Sequence, residues 1–133
     1  MSDSGYSGTP LPAKLGIKQG SRLLIDACPP GWVLTGSPTQ AHTRPGRDPY
    51  DVILLFCADV ATLERRFAPL AERLTMAGAL WVCWPKKSSG IATDLGEAFV
   101  RGYGLAGGLV DVKIAAIDAT WSGLKFVRRR RDR

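Results

Sequence analysis

The feature that most constrains this 133-residue chain is an unbroken apolar run, Val52-Ile53-Leu54-Leu55-Phe56-Cys57, with turn residues before and after it. No polar residue alternates within the run, so both of its faces need cover, as in a central strand of a parallel sheet. Asp59 follows as a candidate helix cap. Val60, Leu63, Phe67, Leu70, Ala71 and Leu74 then recur at helical spacing, with Glu64, Arg65, Glu72 and Arg73 on the outer side. Pro69 predicts a kink or a split in that helix. Gly78 ends the segment, and Ala79-Leu80-Trp81-Val82-Cys83-Trp84 reads as the next buried strand. Trp81 and Trp84, three apart on a strand, must face opposite sides.

The flanks extend this unit. Arg22-Leu23-Leu24-Ile25-Asp26-Ala27 reads as an earlier buried strand, and residues 1–12 as an irregular arm rich in Gly, Ser and Pro. Residues 28–50 carry five prolines and three glycines and read as a long loop, with Trp32-Val33-Leu34 as a very short strand within it. Thr93 or Asp94 can cap a helix running to about Tyr103. After Gly107-Gly108 a strand runs from Leu109 to about Asp118, with Val110, Val112, Ile114 and Ala116 on one face, and Leu124-Lys125-Phe126-Val127 returns beside it. Strand and helix in alternation predict an α/β fold: a mostly parallel Rossmann-like sheet of about five strands ending in an antiparallel β-hairpin. Residues 1–127 form one such domain, and residues 128–133 a basic tail.

Charge is concentrated in that tail. Lys and Arg total 18 against 12 Asp and Glu, and without residues 128–133 the net charge falls from +6 to +2. Arg128, Arg129, Arg130, Arg131 and Arg133 could neutralise phosphates, which makes nucleic-acid binding one expected function. No apolar run approaches the roughly 18 residues of a membrane span, and the first residues resemble no secretion signal, so a cytoplasmic protein without membrane contact is expected. Cys28, Cys57 and Cys83 are far apart in sequence, and the lone histidine, His42, lies in a polar loop. That excludes a metal site and a His-based catalytic triad on spacing grounds. Cys57 and Cys83 end apolar strands and read as buried thiols; Cys28 is the accessible one.

The order of elements resembles the second half of a class I S-adenosylmethionine-dependent methyltransferase fold, as do Lys14-Leu15-Gly16-Ile17-Lys18 before the first strand and Met76-Ala77-Gly78-Ala79-Leu80 before a later one. Such enzymes need a glycine-rich turn after the first strand, where backbone must approach the cofactor, and an acidic residue after the second for the ribose. Here the first strand runs into Ala27-Cys28-Pro29-Pro30-Gly31, and residues 28–50 are too few for two strand–helix units. No cofactor is therefore expected, and methyl transfer through an atypical cofactor site is the least favoured function.

Ligands of parallel α/β sheets bind beyond the carboxyl ends of the strands. Pro85-Lys86-Lys87-Ser88-Ser89-Gly90 should lie there, between a strand end and the helix starting near Thr93. Lys86, Lys87, Ser88, Ser89, Gly90 and Thr93 offer ammonium charge, hydroxyls and free N–H groups to an anion. The alternative is a solvated turn. Asp118, Trp121 and Ser122 of the hairpin could supply an acceptor, a stacking face and a hydroxyl to the same place. The expected function is non-catalytic binding of an anionic small molecule or a protein partner.

Several of these loops together resemble the bacterial "domain of unknown function 3052" family. The strings are Gly5-Tyr6-Ser7-Gly8-Thr9-Pro10-Leu11, Trp84-Pro85-Lys86-Lys87-Ser88-Ser89-Gly90, Gly108-Leu109-Val110-Asp111-Val112-Lys113 and Trp121-Ser122-Gly123-Leu124-Lys125. The resemblance implies a small bacterial cytosolic protein and brings no activity or catalytic residue with it.

Overall fold

The computed structural model describes residues 8–133. Residues 1–7 of the expected irregular arm lie outside the described residues. The rest of that arm is not all irregular, because Leu11–Lys14 forms a single helical turn, α1, with proline in its first positions, where no N–H is needed. The chain then passes through β1 (Leu23–Asp26), β2 (Ala41–His42), β3 (Tyr50–Phe56), α2 (Val60–Ala71), β4 (Leu74–Pro85), α3 (Glu97–Ala106), β5 (Leu109–Ala116) and β6 (Trp121–Arg128).

Six strands form one sheet in the order β2-β1-β3-β4-β6-β5. β2, β1, β3 and β4 are parallel, and β6 runs antiparallel to both β4 and β5. The sixth strand is the two-residue β2, within the stretch expected to be loop; Trp32, Val33 and Leu34 are not a strand. β3 is buried along almost its whole length, as its unbroken apolar sequence requires.

One face of the sheet carries α2 and α3 over Leu24, Ile53, Leu55, Leu80, Val82, Trp84 and Phe126. The other is covered by Leu15, Ile17, Trp32 and Leu34 over Leu23, Val52, Leu54, Phe56, Trp81 and Cys83. Trp81 and Trp84 thus enter opposite cores. The indole Nε1 of Trp81 donates to Leu15 O at 3.1 Å, so the segment after α1 is tied to the sheet centre.

Three boundaries differ from expectation. Leu74 does not close α2 but opens β4, which starts five residues before Ala79. Its first residues bulge away from β3, since Tyr50 pairs with Leu74 but Val52 with Ala79. Gly78 sits in this bulge; a Cβ there would lie 2.8 Å from Tyr50 O, so close backbone approach, not helix termination, requires the glycine. Pro69 falls in the last turn of α2, which runs through it unbroken. In β5 the register against β6 slips between Asp111 and Lys113. The expected single apolar face is interrupted there, and Val112 and Ile114 are exposed.

Candidate functional site

β1, β3 and β4 end at one edge of the sheet, and the β5–β6 turn meets them there. Ala27, Pro29, Pro30, Phe56, Cys57, Ala58, Asp59, Thr62, Ile91 and Trp121 wall an open cleft of about 400 Å³ at that edge. Its lining is apolar except at Asp59 and Thr62. Asp59 caps α2 by accepting from Thr62 N at 2.7 Å, and hydrogen bonding from the Thr62 side chain and then its backbone holds the carboxyl below the usual range. A carboxyl lowered on folding stabilises above its unfolded pKa and loses that contribution as pH falls through the folded value.

Phe56 and Trp121 of the lining belong to an aromatic ladder that reaches back to Trp32. Trp32 packs on Phe56 at 4.8 Å, and Phe56 meets Trp121 edge-on at 5.1 Å. Trp32 Nε1 donates to Asp118 Oδ2 at 2.9 Å, while Asp118 Oδ1 accepts from Thr120 N and Trp121 N, each at 2.8 Å. Asp118 therefore acts as an acceptor within the fold: it shapes the hairpin turn and anchors the 28–50 loop. Trp121 is the one hairpin residue of the expected three that lines the cleft; Ser122 is half-buried in β6 opposite Trp84.

Behind the cleft, β1 ends at Asp26, the buried charged residue among the described ones. Arg66 of α2 grips its carboxylate in two bonds, Nη2 to Oδ1 at 2.7 Å and Nε to Oδ2 at 2.9 Å. This ion pair raises the Arg66 pKa still further. Sequence reasoning had no route to it, because the partners lie on different elements. Ala27 then turns the chain with φ +57°, the described non-glycine residue in the left-handed region.

The lysine loop differs from expectation in its setting. Lys87–Ser89 forms a 3₁₀ turn closed by Gly90 at φ +79°. Ser89 Oγ donates to Lys86 O at 2.7 Å and accepts from Ile91 N, so that hydroxyl is committed to the turn. Lys87 and Ser88 are exposed and Lys86 half-exposed. The following helix does not begin at Thr93: α3 starts at Glu97 with Gly96 as its cap, because Thr93 accepts from Leu95 N and Asp94 accepts from Val60 N at 2.8 Å, capping α2 instead. The loop therefore lacks the helix N-terminus expected beside it, and meets the cleft through Ile91.

The tail is also partly built into the fold. β6 continues through Arg128, whose guanidinium donates to Ala71 O at 3.3 Å at the end of α2 and to Leu74 O at 2.8 Å at the start of β4. Arg129 donates to Leu105 O near the end of α3. Ala71 and Leu105 lie in the last turns of α2 and α3, where the helix dipole favours a cation. Arg130, Arg131 and Arg133 remain exposed. Cys28 is exposed and Cys57 and Cys83 are buried. Among the described residues no group of three or more His, Cys, Asp or Glu could hold a metal, and no helix is long and apolar enough to cross a membrane.

This architecture is that of a methyltransferase-like, Rossmann-like α/β domain. The chain is similar to magnesium protoporphyrin IX methyltransferase (ChlM) from Synechocystis PCC 6803 with bound SAM, at 13% identity and a TM-score of 0.59, covering 90% of this chain and 74% of that one. It is also similar to LepI in complex with SAM, at 10% identity and a TM-score of 0.54, covering 94% of this chain but 40% of LepI. No family model and no curated protein matches the sequence. Both structures hold SAM, and the residues present here do not fit it. Pro29 and Pro30 offer no N–H where backbone donors would be needed, Asp26 is spent on Arg66, and β2 ends at His42-Thr43 with no acidic residue.

Proposed function

We propose that the chain is a non-catalytic methyltransferase-like domain that binds an anionic small molecule with an apolar body at the strand carboxyl edge. The observation that carries this reading is the apolar cleft between Pro29-Pro30 and Trp121, with the Lys86-Lys87 turn joined to its wall at Ile91. An apolar body would fill the cleft, and its charge would meet the lysines at the rim, with Ser88 and Gly90 beside them. The likeness of Trp84-Pro85-Lys86-Lys87-Ser88-Ser89-Gly90 and Trp121-Ser122-Gly123 to the domain of unknown function 3052 family supports it, since both strings border this edge. A bacterial, cytoplasmic setting belongs to the same proposal.

A thermal-shift panel tests it, with anilinonaphthalenesulfonate, sugar phosphates, nucleotides and S-adenosylmethionine as probes. A ligand at 100 times its dissociation constant stabilises by about 2.7 kcal/mol. The aromatic sulfonate should shift the transition, and the Lys86→Ala/Lys87→Ala variant should bind it about tenfold more weakly. Equal affinity in that variant removes the lysines from the site. A shift with S-adenosylmethionine overturns the non-catalytic reading, and silence throughout leaves a protein partner as the occupant.

Nucleic-acid binding through the tail is the second reading, favoured by the exposure of Arg130, Arg131 and Arg133. Arg128, Arg129 and Arg133 are engaged with carbonyls, so two tail cations, Arg130 and Arg131, are free for phosphates, not five.

A further inference from the structure

At the opposite edge of the sheet, where β1, β3 and β4 begin and β6 ends, nine arginines gather against four carboxylates. They are Arg22, Arg44, Arg47, Arg73 and the five of the tail, against Asp48, Asp51, Glu72 and Asp132. Five of these arginines are engaged in building the edge. Arg22 lies over the Tyr50 ring and donates to Pro49 O and Asp48 O, and Arg73 donates to Gly46 O. Arg128 and Arg129 hold carbonyls as described above, and Arg133 Nε donates to Arg128 O at 2.8 Å. Their effect is to pin the 44–48 loop to the 71–75 segment, and the tail to that same segment.

The other four, Arg44, Arg47, Arg130 and Arg131, are exposed. β1 and β6 are three strand spacings of about 4.8 Å apart, so the free cations are spread along a ridge of about 14 Å or more. Duplex DNA presents a phosphate charge per roughly 1.7 Å of axis, so such a ridge faces several phosphates at once. Tyr50, the ring at this edge, is fully buried and bonded through its hydroxyl to His42 Nδ1 and Gly46 N, so it offers bases no stacking face.

From these observations we infer that the strand-start edge is a sequence-independent duplex-binding surface in which Arg44 and Arg47 of the 28–50 loop act together with Arg130 and Arg131. The inference rests on the second reading above and extends it from the tail to the body of the domain.

The test is fluorescence anisotropy of the full chain with a short DNA duplex across a range of salt. Four free arginines give a log–log salt slope of about −3.6, at about −0.9 per phosphate neutralised. Arg44→Ala/Arg47→Ala should lower it to about −1.8, and removal of residues 130–133 likewise to about −1.8, with thermal melting confirming that both variants stay folded. An unchanged slope in Arg44→Ala/Arg47→Ala overturns the inference and leaves the tail reading standing. A full slope after truncation overturns the tail reading and the joint surface. No binding by the intact chain overturns both.

Discussion

Ala27 holds a φ of +57° at the sharp turn out of β1, where an L side chain is disfavoured by about 1–2 kcal/mol. Its side chain is exposed, so nothing in packing opposes a glycine. Ala27→Gly should therefore raise stability by about 0.5–1 kcal/mol after the extra unfolded-state entropy of glycine is subtracted. A higher urea midpoint at unchanged slope is the expected result; a lower midpoint would mean the turn is not strained. Single residues were legible where the signal was local. Asp59 could be read as a cap, Cys28 as the accessible thiol, and the two tryptophans as facing apart, because each follows from neighbours a few positions away. Asp26 and Asp94 were not legible in these roles. Their partners, Arg66 and Val60 N, come from other elements, and no spacing rule links a strand-end carboxylate to a helix 40 positions on.

α3 and β4 show how elements were misread at their ends. Thr93 and Asp94 have the chemistry of a cap, but both are drawn away by Leu95 N and Val60 N, so the helix waits for Gly96. Leu74 continues a helical apolar period by coincidence, and pairing with Tyr50 claims it for β4. Within α3 two glycines differ in what surrounds them. Gly104 lies against Phe126, 2.0 Å from where a Cβ would stand, whereas Gly102 faces open space. Gly102→Ala should stabilise by about 0.5–1 kcal/mol through helix propensity. Gly104→Ala should destabilise by about 2–3 kcal/mol, because the overpacked ring must move and propensity offsets only part of that. Thermal or urea unfolding of the two variants separates these opposite signs, and a stable Gly104→Ala would show that α3 can lift off β6.

For the whole molecule, the parallel order and the closing hairpin were readable because unbroken apolar runs and helical periods alternate. The 28–50 loop was not, since its order comes from distant contacts: Trp32 on Asp118, β2 beside β1, and Arg73 on Gly46. The thiols report on this whole. Burial pushes the Cys57 thiol up to about 12, with Asp59 adding to it, and raises Cys83 well above its ordinary value. At neutral pH an aromatic disulfide reagent should titrate one thiol of the native protein, Cys28, slowed by its own raised pKa, and all three after denaturation. Rapid loss of a second thiol would mean that β3 and β4 open without global unfolding.

The parallel strands also set how far apart the two edges of the sheet lie. β3 is seven residues long, which places about 23 Å between the arginines and the cleft. The Debye length at physiological ionic strength is about 8 Å, so nearly three screening lengths separate them. Charge neutralised at one edge leaves the potential at the other almost unchanged. The two surfaces are electrostatically deaf to each other, and occupancy of one is no electrostatic tax on the other.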